Sequence, residues 1–160
     1  MPTHELMGPE WIDEAPARVE ESIEIEAAPS EVWPHIADHE RWPEWFTDLD
    51  RVEPVDGGAG VGSGRRVTVA KFVTLTEEFT AWRPDERFAF AVIGSPLPFL
   101  ARLAEDVRLE PTDAGTRVVY RQGIEARRFL GVLHGPVAKQ VAGQVRSALT
   151  NLKRRVEDGA

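Results

Sequence analysis

The segment from residue 27 to residue 46 constrains the fold more than any other part of the chain. Before it, apolar and acidic residues alternate, as in a half-buried strand. Within it, apolar residues spaced by three and four predict a short helix capped at Ala28 or Ser30. Pro43, which lies among aromatic residues, is placed to begin a second short helix. We therefore expect two short helices that close one end of a sheet.

The remainder of the sequence predicts about six antiparallel strands followed by one long helix. A turn at residues 84–86 separates two apolar strands, and the proline-rich loop 95–99 ends the second of them. From Gly135 or one turn earlier, apolar residues recur at helical spacing as far as Val156. A helix of about 22 residues spans about 33 Å, which is enough to cross an entire sheet.

Charged residues indicate the register of the last two strands. A turn at residues 112–115 would place three pairs of opposite charge on one face, which we expect to be solvated: Arg102 with Glu125, Asp106 with Arg121, and Glu110 with Arg117. The other face then points inward and carries the polar couple Glu105 and Gln122. In the preceding hairpin the same alternation turns Glu77 inward, although a shift of one residue would exchange it for Glu78.

The composition excludes several classes of protein. The chain has no cysteine and a net charge of -8, with basic residues only in short clusters, so we expect neither disulfides nor nucleic-acid binding. No apolar run approaches the roughly 20 residues of a membrane helix. The first 16 residues lack the pattern of a secretion signal and are interpreted as an N-terminal tail. These features favour a cytoplasmic location.

Two patterns suggest a ligand site, but neither has the spacing or the local structure that such a site requires. His35 and His39 are spaced for one helix face, but the helix is predicted to end there, so we expect no metal site. The glycine-rich run 57–64 lacks Gly-x-Gly-x-x-Gly spacing and leads into a strand, which indicates a connection between strands instead of a phosphate loop. No serine has a recognisable neighbouring base, and no cofactor is expected.

Four motifs in a fixed order resemble those of a known family. They are Ala-Ala-Pro-Ser-Glu-Val-Trp at 27–33, Asp-x-x-x-Trp-Pro-x-Trp at 38–45, Gly-Thr-Arg-Val at 115–118 and Leu-Lys at 152–153. Together with the order of elements, they resemble the START-like SRPBCC superfamily, and within it the polyketide cyclase/dehydrase and lipid-transport branch. The resemblance covers residues 17–157.

The resemblance implies an α+β helix-grip fold in a single domain at residues 17–158. In that fold a curved antiparallel sheet of about seven strands wraps around the long C-terminal helix, two short helices follow strand one, and a cavity lies between sheet and helix. A hydrophobic small molecule or lipid is the expected ligand, and the chain is expected to be a monomer or a dimer. The residues expected at the ligand are Trp45, Phe46, Glu77, Phe79, Phe88, Phe90, Phe99, Leu103, Val107, Tyr120, Gln122, Leu133, Val137 and Val141.

Two other functions stay open from the sequence. One is a cyclase or dehydratase acting on an aromatic or polyketide-like substrate, with Glu105 and His134 as proton-transfer groups, because burial raises the pKa of a carboxyl group towards neutrality. Glu105 could instead pair with an inward cation such as Lys71. The other function is a protein-interaction domain that uses the apolar loop 97–103 or the acidic N-terminal half.

Overall fold

Seven strands and one long helix make up most of the computed structural model, which describes residues 3–159. The strands are β1 (Ala17–Ile25), β2 (Leu49–Val55), β3 (Gly64–Val69), β4 (Val73–Arg83), β5 (Arg87–Gly94), β6 (Leu100–Thr112) and β7 (Gly115–Ala126). The α-helices are α1 (Pro29–Ala37), α2 (Trp42–Trp45) and α3 (His134–Asp158). Short 3₁₀ helices span Pro9–Glu14, His39–Arg41 and Arg128–Leu133.

All seven strands belong to one antiparallel sheet, in the order β1-β7-β6-β5-β4-β3-β2. The helix α3 packs against one face of this sheet, and its buried residues Val145, Ala148, Leu149 and Leu152 belong to the main core. The α+β helix-grip fold is therefore confirmed, with two short α-helices between β1 and β2. Within residues 3–159, no helix combines the length and the apolar character that crossing a membrane requires.

The register predicted for the β6–β7 hairpin is confirmed. The three charge pairs lie opposite each other as expected, and Glu105 lies opposite Gln122. Arg102 also forms a salt bridge of 3.2 Å with Glu125. The inward position of Glu77 is likewise observed, since this side chain is only 5% exposed.

The outer face of the sheet departs from expectation near its centre. Asp106 is fully buried there and accepts hydrogen bonds of 2.8 Å and 3.0 Å from Arg87. The 3₁₀ helix Pro9–Glu14 covers this region, and its residues Trp11 and Ile12 form a second, small core with residues of the sheet. The expectation of a solvated outer face is wrong here because the covering segment is remote in sequence. The domain start at residue 17 stays a prediction.

Gly123 permits the close approach of this covering helix. A Cβ atom at that position would lie 3.1 Å from the Trp11 ring and 3.2 Å from the Cα atom of Ile12. Such distances are shorter than comfortable packing allows. The sheet surface below the helix is therefore flat enough for an indole ring to rest on it.

We expect Ile12→Val to lower the free energy of unfolding by about 1 kcal/mol, because Ile12 is 1% exposed and the substitution removes one buried methylene group. Urea denaturation followed by tryptophan fluorescence measures the change. Val61→Ala, at a site that is 68% exposed, is the control and should leave the free energy nearly unchanged. Equal effects of the two substitutions would contradict the packing of this helix.

The N-cap of helix α1 is Ala28, one of the two residues predicted for this position. The backbone N–H of Ala28 donates a hydrogen bond of 2.9 Å to the Glu31 carboxylate, and Pro29 occupies the first helical position. This cap directs the chain away from β1 and towards the aromatic residues of α2.

The two tryptophan residues of α2 lie in the core. Trp42 and Trp45 are both fully buried, and their indole N–H groups donate hydrogen bonds to the carbonyl groups of Ile36 at 2.9 Å and His35 at 3.3 Å. These hydrogen bonds join α2 to α1 and satisfy the polar atoms that burial removes from water. The helix pair therefore closes one end of the core.

Candidate functional site

A cavity of about 550 Å³ lies between the sheet and α3. Residues of β2, β3, β4, β6 and β7, the segment around α2 and one residue of α3 line it. Its apolar lining residues are Phe46, Leu49, Val67, Val69, Ala70, Leu75 and Leu103. Its polar lining residues are Thr47, Asp48, Asp50, Lys71, Glu77, Glu105, Gln122 and Gln144.

The polar residues of the cavity divide into a rim and an interior group. Asp48, Asp50 and Lys71 are exposed and form the rim. A hydrogen bond of 2.7 Å from the backbone N–H of Lys71 to the Asp50 carboxylate joins the β3–β4 turn to the start of β2 at this rim. The interior group consists of Glu77, Glu105, Gln122 and Gln144, which are buried or half-buried.

A buried arginine lies behind the interior group. Arg65 is 1% exposed and donates a hydrogen bond of 2.5 Å from Nε to the Glu77 carboxylate. Its guanidinium carbon lies 4.0 Å from the centroid of the Trp42 ring and 4.5 Å from that of Phe90. Burial raises the pKa of Glu77, and the charge and hydrogen bond of Arg65 counteract that rise. The cation is thus held by one carboxylate and by aromatic faces.

His39 completes this buried network, and its two neighbours determine which ring nitrogen carries the proton. Arg65 donates to Nδ1 of His39 at 3.3 Å, while Nε2 of the same ring lies 3.0 Å from the carbonyl oxygen of Gly58. Because arginine can only donate, Nδ1 carries no proton and Nε2 donates to the carbonyl. Burial, followed by the charge of Arg65, lowers the pKa of His39 to about 3, so the ring stays neutral. No group of three or more potential metal ligands occurs within residues 3–159.

Glu105 is the interior carboxyl group that forms no salt bridge with any residue between 3 and 159. The hydroxyl of Tyr120 donates a short hydrogen bond to it. Burial raises the pKa of Glu105 to about 8, and the neighbouring charge of Glu77 adds to the rise, whereas Tyr120 and Arg65 oppose it. At neutral pH this carboxyl group therefore holds its proton more often than not. A group with such a pKa can give or accept a proton under physiological conditions.

The residues expected at the ligand separate into several environments. Phe46, Glu77, Leu103, Glu105 and Gln122 line the cavity, and Tyr120 lies directly behind Glu105. The others lie outside the lining. Buried in the core are Trp45, Phe79, Phe88, Phe90 and Val107, half-buried against it are Val137 and Val141, and exposed are Phe99 and Leu133. His134 accepts a hydrogen bond of 2.9 Å from the backbone N–H of Ala126, which serves to hold the start of α3 on β7.

The sequence interpretation missed Arg65 and most of the β2–β4 side of the cavity. Arg65 alternates with Val67 and Val69 along β3, and this spacing of two would have placed all three on the inward face. The rim residues of the β2–β4 side gave no such signal, because their position depends on the turn between β3 and β4. The sequence interpretation did not include Gln144, because it identified the inward face of this helix from apolar residues and Gln144 is polar.

Comparisons with known proteins agree with this architecture. The solved structure of XoxI from Bacillus cereus superposes with a TM-score of 0.72 at 16% identity, covering 89% of this chain and 96% of that one. That of TTHA0849 from Thermus thermophilus gives 0.70 at 26% identity, covering 89% and 99%. DynU16, a protein in the dynemicin biosynthetic locus, gives 0.69 at 17% identity, with 89% of this chain and 48% of that chain covered.

Sequence comparison leads to the same group of proteins. An uncharacterized protein of Mycobacterium tuberculosis is 25% identical over 150 residues, which cover 91% of this chain and 78% of the relative. The family described as "Polyketide cyclase / dehydrase and lipid transport" matches residues 16–157. That match begins after the covering helix and extends to the end of α3. The chain therefore belongs to the polyketide cyclase/dehydrase and lipid transport family, within the SRPBCC superfamily.

Proposed function

We propose that this protein binds a hydrophobic small molecule or a lipid in the cavity between the sheet and α3. The observation that carries the proposal is a cavity of about 550 Å³ whose apolar side chains come from four strands and the end of the aromatic helix pair. Ligand sites for small molecules generally have volumes of about 300–1,000 Å³ and a mainly apolar wall with a few polar groups. The interior carboxyl and amide groups would then orient the ligand.

Filling the cavity should abolish this binding. Gln144→Trp places an indole ring in the cavity from α3, and we expect at least about a tenfold loss of affinity for the neutral apolar dye Nile red. A fluorescence titration measures the affinity. Gln140→Trp, the same substitution one turn earlier at an exposed position of α3, should bind the dye like the wild type.

Native mass spectrometry of the purified protein provides a second test of the same proposal. We expect an apolar compound to co-purify with the wild type and with Gln140→Trp, but not with Gln144→Trp. Unaltered dye binding and an unaltered co-purifying compound in Gln144→Trp would exclude this cavity as the binding site. A thermal denaturation curve for each variant shows whether it is folded.

A cyclase or dehydratase activity is the second candidate, and the raised pKa of Glu105 favours it. A carboxyl group with a pKa of about 8, hydrogen-bonded to Tyr120 and facing a cavity, is suited to general acid–base chemistry. Incubating the extracted compound with fresh protein, followed by mass spectrometry, tests this activity. Because a ring closure without loss of water leaves the mass unchanged, the products are first separated by chromatography. Conversion to a new compound by the wild type and not by Glu105→Gln would support an enzyme, whereas an unchanged compound would leave binding alone.

A further inference from the structure

The charges around the cavity are unbalanced. Four carboxyl groups line it, at Asp48, Asp50, Glu77 and Glu105, whereas Lys71 is the one basic residue among its described lining residues. Arg65 compensates Glu77 from behind the wall. Within residues 3–159, no salt bridge reaches Glu105. The interior therefore presents one carboxyl group that forms no salt bridge with a described residue and is mostly protonated at neutral pH.

A buried amide group adds an independent indication of a ligand. Gln122 is 6% exposed, lines the cavity directly opposite Glu105, and its side chain forms no hydrogen bond with any residue between 3 and 159. Its amide atoms open onto the cavity, so a bound molecule can supply the hydrogen-bond partner that the described residues do not. Gln144 faces the same space from α3, and its side chain also forms no hydrogen bond among the described residues. The cavity thus offers the acceptor oxygens of one carboxyl and two amide groups.

We propose that the ligand is an amphiphilic amine whose primary ammonium group binds between Glu105, Gln122 and Gln144. This proposal rests on the proposed binding function and specifies the chemical class of the ligand. A primary ammonium group has three N–H donors and no acceptor, which matches the three acceptor groups that line this cavity. Its positive charge pairs with the ionised form of Glu105, while the apolar body contacts the side chains of β2, β3 and β4.

An anionic head group does not fit this cavity. It would meet the interior carboxyl groups, and Lys71 at the rim is the nearest basic lining residue that could compensate it. Bringing like charges together within an apolar enclosure is strongly unfavourable. A neutral alcohol fits the protonated form of Glu105, and it is therefore the appropriate comparison for an amine.

Binding of an ammonium group should depend on pH. Several titratable or charged groups surround Glu105. Tyr120 of β7, Glu77 of β4 and Arg65 of β3 lie near it. Lys71, Asp48 and Asp50 line the other side of the cavity, and α3 contributes the uncharged Gln144. An ammonium group stabilises the ionised form of Glu105, whose pKa in the free protein is about 8, so binding at pH 7 releases a proton. The affinity for an amine should rise about 50-fold from pH 6 to pH 8, because the ionised fraction rises by that factor.

Three ligands with the same apolar body test the proposal. Isothermal titration calorimetry of the full chain at pH 8 compares decylamine, decanol and decanoic acid, which differ only in the head group. We expect decylamine to bind at least about tenfold more tightly than decanol, and decanoic acid to bind most weakly. Titrations of decylamine in buffers with different ionisation enthalpies should also show the released proton at pH 7.

Glu105→Gln should bind decylamine no more tightly than decanol. Glu110→Gln, an exposed position on the same strand, is the control and should keep the preference. Equal affinities of the wild type for decylamine and decanol, or an equal preference in Glu105→Gln, would overturn the amine proposal and leave the proposed binding function standing. Failure of all three compounds to bind would overturn both.

Discussion

Arg65→Met is expected to lower the free energy of unfolding by about 3–5 kcal/mol, because it leaves the Glu77 carboxyl group buried without its cation. The substitution also removes the hydrogen bond to Nδ1 of His39 and the contact with the Trp42 ring. Methionine fills a similar volume, so the loss arises mainly from electrostatics and not from a void. Urea denaturation at pH 7 measures the change.

Two further variants separate the ion pair from other effects at this site. Arg66→Met is the same substitution at the adjacent, exposed residue, and it should change the free energy of unfolding by less than about 0.5 kcal/mol. The double variant Arg65→Met/Glu77→Leu should recover most of the lost stability, since it removes the unpaired carboxyl group as well. A double variant as unstable as Arg65→Met alone would contradict this account.

Glu105→Gln is expected to stabilise the protein at pH 7. In the folded state the pKa of Glu105 is about 8, compared with an ordinary value of 4.5, so the folded protein keeps a proton that the unfolded chain releases between these two pH values. Stability therefore falls as the pH rises through this window and levels off above pH 8. Solvent that reaches the carboxyl group through the cavity screens part of this destabilisation. We therefore expect the free energy of unfolding of the variant at pH 7 to exceed that of the wild type by about 2 kcal/mol.

The pH dependence of this gain distinguishes ionisation from packing. The stability difference between Glu105→Gln and the wild type should vanish below about pH 4.5, where Glu105 is protonated in both states. Chemical denaturation at a series of pH values measures it, with Glu110→Gln as the exposed control on the same strand. A constant difference across the series would mean that the carboxyl group is not responsible.

These two predictions have a common implication for the site. The ion pair of Arg65 and Glu77 holds the wall together, whereas Glu105 weakens the fold at the pH at which it would bind a ligand. Residues that bind or react commonly oppose stability, because they are placed for a ligand and not for the unliganded fold. A stabilising substitution at Glu105 would therefore strengthen its assignment to function.

The sequence sufficed for the hairpin register and for the two inward polar groups of β6 and β7. Charge complementarity and alternation act between neighbouring strands, so they can be followed along the chain. The burial of Asp106 could not be foreseen in this way. Asp106 lies under Arg87, and the 3₁₀ helix Pro9–Glu14, which lies more than eighty positions before β6 in the chain, packs on its neighbour Ala104; no local pattern links these segments.

Alternation also could not distinguish the cavity wall from the core. Phe79, Phe88 and Phe90 point inward as expected, yet they pack on one another, on His39 and on Arg65. A period of two residues identifies the face of a sheet, whereas the space in front of each side chain is set by what lies across from it. His39 illustrates the same limit, because its role depends on contacts with Arg65 and with the Gly58 carbonyl.

The position of α3 after all seven strands in chain order has a consequence for synthesis on the ribosome. Its side chains reach back to the first strand, where Arg146 pairs with Glu21 and Lys153 donates to the Glu24 carbonyl, contacts that span 125 and 129 positions. Contacts of such separation form late during synthesis, since the nascent chain must first deliver both partners. The strands therefore emerge before the helix that covers their inner face, and the wall that holds Gln144 follows them, so the cavity can form only after α3 has left the ribosome.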